Sequence, residues 1–496
     1  MRWLFCFPGY GYQRIPRVIL HPSRRFWLCL ETMTSPSDLD RIFKAYDVRG
    51  IVPEELDTKE AFAIGAAFGN FIKKNENVDR LIVGYDMRES SGPIVRALIA
   101  GAHFAGCEVI NIGLASTDLM YFSSGKLSLP GVMVTASHNP AKYNGLKFCA
   151  SEARPIGQET GLEDIKLGAG EILAKHSDEI EQKIAADPGV KVQSMMEDFV
   201  KHVHGFIDVK QLKPLKVIAD TANGMGGLIA PEIFQGLPID LEILYPELDG
   251  TFPNHPASPI EPENLVDLQK EVLAKSADVG LAFDGDADRV FLVDDKGEIL
   301  SGSVTTAIVA KAMLEAHPGA TILYNCICSK AVPEIVAEMG GQSVRTRVGH
   351  SFIKAEMART GAVFGGEHSG HYYFLDNFRA DSGIIAAMVV LEVLSRTEMP
   401  LSQLRIPYER YADSGEINTT VTDTKEVIER IKTIYGVKGA TLDELDGLTV
   451  YNDSWWFNLR PSNTEPLLRL NVEAQDKKSL EVHVAKLISE IKGIGE

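Results

Sequence analysis

Residues 279–293 read VGLAFDGDADRVFLV, which is an apolar run, an acidic loop and a second apolar run. The two runs are rich in β-branched and aromatic residues, a composition that predicts two short buried strands. The loop between them carries Asp284, Asp286 and Asp288 at alternate positions, followed directly by Arg289. Because ligands of open α/β sheets bind where strands end, this stretch predicts both an α/β sheet and a polar site at its edge.

The same change from apolar run to polar loop recurs on both sides of this stretch. At 496 residues the chain is too long for one hydrophobic core, so we expect several domains. Strands that alternate with helices predict βαβ units and a mostly parallel or mixed sheet. A helix is predicted at residues 93–104 and another near 425–435, and strands are predicted at 81–84, 107–112, 132–134, 215–220, 321–328, 362–364, 448–451 and 467–472.

A second polar loop, TASHNP at residues 135–140, follows the predicted strand 132–134. Pro140 does not readily continue a helix or a strand, so the loop is expected to expose the Ser137 hydroxyl. A lone serine in such a loop is more often a turn or cap residue than a nucleophile. Three carboxylates that could hold a hard divalent cation change that interpretation, because the cation would stabilise a phosphorylated serine. The two loops together predict phosphoryl transfer through a phosphoserine.

The acidic loop has competing interpretations. An EF-hand needs glycine at the sixth loop position, where Arg289 stands. A solvated acidic turn would place three carboxylates together without a cation, which is repulsive. An apolar strand ending in D-x-D also resembles the aspartyl-nucleophile phosphatases of the haloacid dehalogenase superfamily, where Asp284 would attack phosphate and Asp286 would act as acid and base. That phosphatase and a non-catalytic phosphosugar-binding protein remain alternatives.

Two further loops carry groups that suit a sugar phosphate. Residues 365–371, GGEHSGH, offer a carboxylate, a hydroxyl and imidazoles that can bind sugar hydroxyls. Residues 460–466, RPSNTEP, offer a guanidinium with hydroxyl and amide donors between two prolines, which suits a phosphate. Each loop alone is a weak signal, because glycine-rich loops and turns of this kind are common.

From about Phe43 onward the chain resembles the α-D-phosphohexomutases, most closely the bacterial phosphomannomutase/phosphoglucomutase branch. Four motifs occur in the order of that family, and FKAYDVRG at residues 43–50 resembles its opening. The resemblance implies an α/β fold with four domains around a central cleft: three similar α/β domains and a smaller C-terminal α+β domain like the TATA-box-binding protein. We expect these domains at residues 37–187, 188–298, 299–404 and 405–496.

The resemblance also implies roles for individual residues. Ser137 would be the phosphoserine and, with Asp284, Asp286 and Asp288, would ligate one Mg²⁺ per chain. The catalytic group would further include His138, Lys147 as a candidate acid/base, Arg289 and His371. The substrate would contact Tyr46, Arg49, His350, Glu367, Ser369, Arg460, Ser462, Asn463 and Thr464.

The implied activity is reversible interconversion of hexose 1-phosphate and hexose 6-phosphate, with hexose 1,6-bisphosphate as intermediate and activator. The glucosamine branch of the family is the nearest alternative. That branch typically has glutamine where His368 stands, which favours mannose or glucose as the sugar.

Charge and cysteine content narrow the choice of partners. The formal net charge of -18 argues against nucleic acid or an anionic membrane as the main partner. A phosphosugar is itself anionic, so the site needs local cations, for which Arg49, Lys147, Arg289 and Arg460 are the candidates. Sparse cysteines without a C-x-x-C pair favour a reducing cytoplasm and buried thiols, with Cys326 and Cys328 on one face of the strand 321–328. We expect a monomer or a weak homo-oligomer.

The first residues differ from the rest of the chain. Residues 1–32 hold five arginines against the single acid Glu31, with prolines that break any long amphipathic helix. We therefore expect residues 1–36 to be a disordered or non-functional extension and the functional chain to begin at Met33.

Overall fold

The computed structural model describes residues 38–437, 439–462 and 467–495. The extension expected at residues 1–36 and the expected start at Met33 lie outside these ranges. In the described part of the chain, no helix is both long and apolar enough to cross a membrane.

The first α/β segment is a six-stranded mixed sheet with helices on its faces. Its order is β1-β5-β4-β2-β3, and β6 pairs with β5. Its elements are α1 (Asp38–Ile42), β1 (Val48–Ile51), α2 (Thr58–Asn75), β2 (Arg80–Tyr85), α3 (Ser91–Phe104), β3 (Glu108–Leu114), α4 (Thr117–Leu127), β4 (Gly131–Val134), β5 (Tyr143–Ala150), β6 (Arg154–Pro155), α5 (Leu162–His176) and α6 (Ile180–Ala186).

The second α/β segment has five strands in the order β11-β10-β9-β7-β8. Its elements are α7 (Met196–His204), β7 (Leu215–Asp220), α8 (Gly226–Phe234), β8 (Ile239–Leu244), α9 (Val266–Lys275), β9 (Val279–Phe283), β10 (Val290–Asp294) and β11 (Ile299–Leu300). All residues of β9 and β10 are buried, as the apolar runs on either side of the acidic loop predict.

The third α/β segment has four strands in the order β13-β12-β14-β15. Its elements are α10 (Gly302–Ala316), β12 (Thr321–Asn325), α11 (Ala331–Glu338), β13 (Gln342–Thr346), α12 (His350–Thr360), β14 (Phe364–Gly366), β15 (Tyr372–Phe374), α13 (Gly383–Ser395) and α14 (Leu401–Leu404).

The last segment is smaller and its sheet is antiparallel, in the order β16-β20-β19-β18-β17. Its elements are β16 (Ala412–Thr420), α15 (Thr424–Tyr435), β17 (Thr441–Asp443), β18 (Leu448–Tyr451), β19 (Trp455–Pro461), β20 (Leu467–Ala474) and α16 (Lys477–Gly495). Both of its long helices pack on this sheet around a core of its own. One continuous apolar core, in contrast, runs through all three α/β segments.

The three α/β segments present their motif loops in the same way. In each sheet, parallel strands are followed by one antiparallel strand, and the motif loop joins the two kinds. The serine loop joins β4 to β5, the acidic loop joins β9 to β10, and the glycine-rich loop joins β14 to β15. The repeated topology therefore places three chemically different loops at corresponding sheet ends.

Three predicted element bounds are wrong. The strand expected at 321–328 ends at Asn325, because the pairing of β12 with β13 stops there. Cys326 and Cys328 therefore lie in a turn rather than on one face of a strand, although both are buried. The strand expected at 362–364 is instead β14, which includes two glycines of the expected loop, and Arg460 lies on β19 rather than in a loop.

Candidate functional site

The serine loop and the acidic loop meet. The Ser137 hydroxyl donates to Asp284 Oδ2 across 2.9 Å, and both side chains are buried. The predicted nucleophile and the predicted cation ligands therefore share one site, although they come from different sheets.

The backbone of Ser137 lies in the left-handed region, with φ of 52°, which few residues with a side chain adopt. Its N–H donates to the Thr135 hydroxyl at 2.9 Å. Gly285 of the acidic loop packs against it so closely that a Cβ there would lie 2.4 Å from the Ser137 carbonyl oxygen. Contacts from both loops thus hold the serine in an uncommon conformation, which is typical of functional sites.

A buried guanidinium to which the sequence analysis assigned no role fixes the serine loop. Arg88 is 3% exposed and its Nε donates to Asp86 at 3.1 Å. Its two terminal nitrogens donate at 2.7 to 3.0 Å to four carbonyl oxygens, those of Ser137, Asn139, Pro140 and Tyr143. Its position in the sequence could have marked it as a site residue, because Asp86 and Arg88 directly follow β2, just as the other motifs follow their strands.

The three aspartates form one buried cluster. One oxygen from each of Asp284, Asp286 and Asp288 lies within 4.8 Å of the others. Burial raises the pKa of Asp284 to about 8, against the effect of the neighbouring guanidinium of Arg289. Asp286 Oδ1 and Asp288 Oδ1 have no hydrogen-bond partner among the described residues. Buried carboxylate oxygens without donors are costly, and such oxygens are the ligands of hard divalent cations, so the cluster fits one.

Lys147 lies against the same cluster. Its Nζ donates to Asp286 Oδ2 at 2.7 Å and to Asp288 Oδ2 at 2.8 Å. Burial works to lower the pKa of this amine, but the two carboxylates hold it well above its usual value. Despite burial of the carboxylate, the same contact holds the pKa of Asp286 below its usual range. The ammonium is therefore the internal counter-charge of the cluster.

Arg289 connects the acidic loop to the serine. Its Nε donates to Asp284 Oδ2 at 2.8 Å, and a terminal nitrogen donates to Ser137 Oγ at 3.4 Å. The same nitrogen contacts His138 Nδ1. Burial, reinforced by the Arg289 charge, lowers the pKa of His138 well below its usual value, so the imidazole is neutral. The guanidinium is positioned beside any charge that develops on the serine oxygen.

The beginning of helix α4 also contacts the acidic loop. Thr117 Oγ1 donates to Asp286 Oδ2 at 2.5 Å, and its N–H donates to the Asp286 carbonyl at 3.0 Å. The helix begins here because the Ser116 hydroxyl accepts a backbone N–H of the first turn. The next residue, Asp118, accepts from the Ser382 hydroxyl of the third segment at 2.7 Å. This helix end, which the sequence analysis did not single out, ties three segments together at the site.

The opening motif reaches two of the other loops. Arg49 donates to the Asn139 side chain at 2.5 Å. The Tyr46 ring stands edge-on to His350, with centroids 5.5 Å apart, and to Phe352 at 5.7 Å. Three residues predicted to contact substrate thus lie close together: Arg49 contacts the serine loop, and Tyr46 contacts His350 of the third segment.

Glu367 of the glycine-rich loop is 2% exposed. Its carboxylate accepts from the Tyr373 hydroxyl at 2.7 Å, the Gly349 N–H at 3.0 Å and the Asn325 amide at 3.2 Å. A carboxylate can accept about four hydrogen bonds, so one acceptor position remains for a ligand. These contacts fix its orientation.

Two other polar side chains of this loop, Ser369 and His371, extend toward the acidic cluster, whereas His368 lies beside the Ser303 hydroxyl, 3.4 Å from its Nδ1. Ser369 Oγ and His371 Nδ1 are 2.9 Å apart, and His371 Nε2 is 3.7 Å from Asp288 Oδ1. The Val290 N–H donates to the Gly370 carbonyl at 3.3 Å, so the backbones of the two loops also touch. The site therefore includes the third motif as well as the first two.

The fourth motif supplies Arg460, which is 6% exposed and donates to Glu416 Oε2 at 2.5 Å. The Asp446 carboxylate of the last segment accepts the Val348 N–H at 3.0 Å, so the last segment contacts the third segment directly before Gly349 and His350. Burial raises the pKa of Tyr46. Ser462 directly follows β19, whereas Asn463 and Thr464 lie outside the described residues.

Comparison with known proteins gives one consistent family. Models of the phosphoglucomutase/phosphomannomutase α/β/α domains I, II and III match residues 40–186, 197–297 and 301–411, and the model of the C-terminal domain matches 416–489. A phosphomannomutase of Salmonella typhimurium is 37% identical over 440 residues, which are 87% of this chain and 94% of that protein. A phosphomannomutase of Methanocaldococcus jannaschii is 38% identical over 447 residues, 90% of this chain and 96% of that protein.

The solved structures agree with the sequence matches. The crystal structure of a phosphoglucomutase/phosphomannomutase family protein from Burkholderia thailandensis superposes with a TM-score of 0.80 at 30% identity, over 92% of this chain and 97% of that one. The four matched models follow one another in order along the described segments and leave only short stretches between them. The chain therefore belongs to the phosphoglucomutase/phosphomannomutase family.

Proposed function

We propose that this chain is a phosphohexomutase that interconverts hexose 1-phosphate and hexose 6-phosphate through a phosphorylated Ser137. The observation that carries the proposal is the contact of the Ser137 hydroxyl with Asp284, with the Arg289 guanidinium beside both. Family membership removes the haloacid-dehalogenase-like phosphatase from the alternatives and makes a non-catalytic role the weaker one.

The reaction has two balanced halves. The P–O bond of phosphoserine 137 breaks while the phosphoryl group bonds to O6 of a hexose 1-phosphate, and the proton of that hydroxyl passes to the protein. The hexose 1,6-bisphosphate then rotates within the site. Its other phosphoryl group transfers from O1 to Ser137, and the proton passes from the protein to O1. Positioning and charge neutralisation supply most of the catalysis of such transfers.

Different side chains of the site carry out proton transfer and charge neutralisation. We assign the proton transfer to His371, which approaches Asp288 to 3.7 Å, and to Lys147, which lies 2.8 Å from Asp288. Because the carboxylates keep Lys147 protonated, it would act as the acid. Arg289 neutralises charge on the transferring group, and His138 supports Arg289 through their contact.

The carboxylates of Asp284, Asp286 and Asp288 would hold Mg²⁺ together with the serine oxygen. The oxygen atoms without donors at Asp286 and Asp288 are the observation that supports this assignment. A cation bound there would supply positive charge to a phosphoryl group on Ser137.

The remaining motif residues would hold the substrate. Glu367 and Ser369 would bind sugar hydroxyls, with Tyr46, Arg49 and His350 on the facing wall of the cleft. Arg460 and Ser462 would hold the phosphate that is not transferred, together with Asn463 and Thr464 from the sequence motif.

Intact-mass analysis tests the proposal most directly. Protein incubated with glucose 1,6-bisphosphate should gain one phosphoryl group that maps to Ser137. Ser137→Ala should not gain that mass, and its turnover should fall by several orders of magnitude. Ser194→Ala, at an exposed serine, should gain the mass and keep the wild-type turnover. Turnover of the Ser137→Ala variant near the wild-type rate would refute this nucleophile. The 1-phosphates of mannose, glucose and glucosamine, assayed side by side, decide the preferred sugar.

A further inference from the structure

Two arginines face each other across neighbouring strands of the last segment. Arg460 on β19 pairs directly with Arg469 on β20 in the antiparallel register. Like charges directly opposite each other destabilise a sheet, and here both side chains are mostly buried, at 7% and 28% exposed. Such a pair needs an anion between or beside its guanidinium groups.

The protein supplies that anion itself. Glu416 on the adjacent strand β16 bridges the pair, with Oε2 at 2.5 Å from Arg460 and Oε1 at 3.3 Å from Arg469. Each carboxylate oxygen therefore serves one guanidinium, as two oxygens of a phosphate group would.

A local irregularity of β16 accompanies this arrangement. The register of β16 against β20 shifts between Asp413 and Glu416, where Gly415 adopts a φ of 63°. The Ser414 hydroxyl accepts the Val472 N–H at 2.9 Å and so replaces a regular ladder contact. Bulges of this kind redirect a side chain and are common next to functional sites.

The arginines retain donor capacity beyond this carboxylate. Among the described residues, neither Arg460 Nε nor Arg469 Nε has a hydrogen-bond partner, although both atoms are buried. The Glu416 carboxylate, with the Ser462 hydroxyl that accepts from Arg469 at 3.3 Å, thus satisfies only part of the donor set of the two guanidinium groups. An anion with more oxygens and more charge would satisfy it better.

We propose that Glu416 is a built-in competitor of the substrate phosphate: its carboxylate occupies the Arg460–Arg469 pair and must be displaced when a phosphate group binds. This inference rests on the proposed function, in which Arg460 holds the phosphate that is not transferred. Glu416 neutralises the two guanidinium groups when no phosphate is bound and weakens the binding of free phosphate. A phosphosugar overcomes the competition because its hydroxyls add contacts in the third segment.

Binding of inorganic phosphate tests this proposal without any turnover. Isothermal titration calorimetry should give a dissociation constant about tenfold lower for Glu416→Gln than for the wild type, equivalent to about 1.4 kcal/mol. Glu426→Gln is the matched control, because it removes the same charge from an exposed helix of the same segment. Arg460→Met reports any phosphate bound elsewhere. An unchanged or higher dissociation constant for folded Glu416→Gln would overturn the proposal.

Two further measurements test the exchange, and the second uses only wild-type protein, so it covers the case in which Glu416→Gln is unstable. In the double variant Glu416→Gln/Arg469→Gln the gain should disappear, because the second guanidinium is absent. A crystal structure of the wild type with inorganic phosphate should show the anion on both arginines and the Glu416 carboxylate withdrawn. Phosphate bound with Glu416 still on both arginines would refute the exchange. Wild-type protein that binds phosphate as expected but shows no mutase activity would instead refute the proposed function.

Discussion

Gly285 is the position where a substitution tests the contact between the acidic loop and the serine loop most directly. It lies between two of the proposed cation ligands, and it is not among the glycines with positive φ, so alanine there meets no left-handed strain. Only space forbids it: a Cβ would lie 2.4 Å from the Ser137 carbonyl oxygen and 3.2 Å from its carbon. Gly285→Ala therefore tests how far catalysis depends on the contact between the two loops.

The size of the effect follows from that distance. To reach an ordinary contact of 3.4 Å or more, the oxygen and the new methyl group must separate by about 1 Å. The Ser137 carbonyl yields poorly, because it also accepts from buried Arg88 at 2.8 Å. A misplacement of about 1 Å at a reacting group costs about 100-fold in rate. We expect kcat to fall by about 10-fold to 100-fold, which corresponds to about 1.4 to 2.7 kcal/mol of transition-state stabilisation.

The assay compares steady-state kinetics and the rate of Ser137 phosphorylation by glucose 1,6-bisphosphate. KM should change little, because the substrate-holding groups lie on other loops. Gly92→Ala is the control: the glycine lies in helix α3 with no atom within 4 Å of the new methyl group, so activity should be unchanged. A folded Gly285→Ala enzyme with wild-type kcat would refute the idea that this contact sets the position of the serine.

Three further substitutions separate the parts of the site. Asp286→Asn should raise the Mg²⁺ concentration for half-maximal activity about tenfold, because one anionic ligand is lost; an unchanged titration of EDTA-treated enzyme would contradict the ligand assignment. Arg88→Lys should lower kcat with KM within about twofold, since one ammonium does not replace a guanidinium that serves four carbonyls; wild-type kcat in a variant with a normal melting curve would contradict this. Arg460→Ala should chiefly raise KM, about tenfold or more, because its contact is to the phosphate that is not transferred; a fall in kcat at constant KM would argue against that role.

The motifs were predictable from the sequence because each one is dense and follows a strand. Ser137 and the acidic loop both stand directly after a buried apolar run, and the common topology of the three α/β segments then brings the loops to one place. The predicted strand ends were wrong where the apolar run in the sequence and the paired part of the strand have different lengths. The apolar run at 321–328 continues past Asn325, but its neighbouring strand does not. In β19 the paired strand continues where the sequence looks polar. Asn458 and Arg460 are buried polar residues, and their side chains make this part of the strand resemble a loop.

Arg88 and Thr117 were not predictable because their partners are distant in the chain. Arg88 serves a carbonyl 49 residues away, and Thr117 serves a carboxylate 169 residues away. The position of Arg88 directly after β2 was a signal, but only the folded structure brings these distant carbonyls and this carboxylate to Arg88 and Thr117. The residues of a motif can be recognised from neighbouring positions in the sequence, whereas the residues that hold the motif in place depend on the fold.

The charge of the protein poses a question that these contacts answer. A chain with a formal net charge of -18 is proposed to bind an anionic substrate. Its four site cations are each paired with an internal carboxylate: Arg289 with Asp284 at 2.8 Å, Lys147 with Asp286 at 2.7 Å, Arg460 with Glu416 at 2.5 Å and Arg49 with Asp47 at 2.5 Å. Buried guanidinium and ammonium groups without such partners would be strongly destabilising. At the Arg460–Arg469 pair, the proposed binding is an exchange of the Glu416 carboxylate for a phosphate group. Affinity there would depend on how much better a phosphate group fits the two guanidinium groups than the carboxylate does.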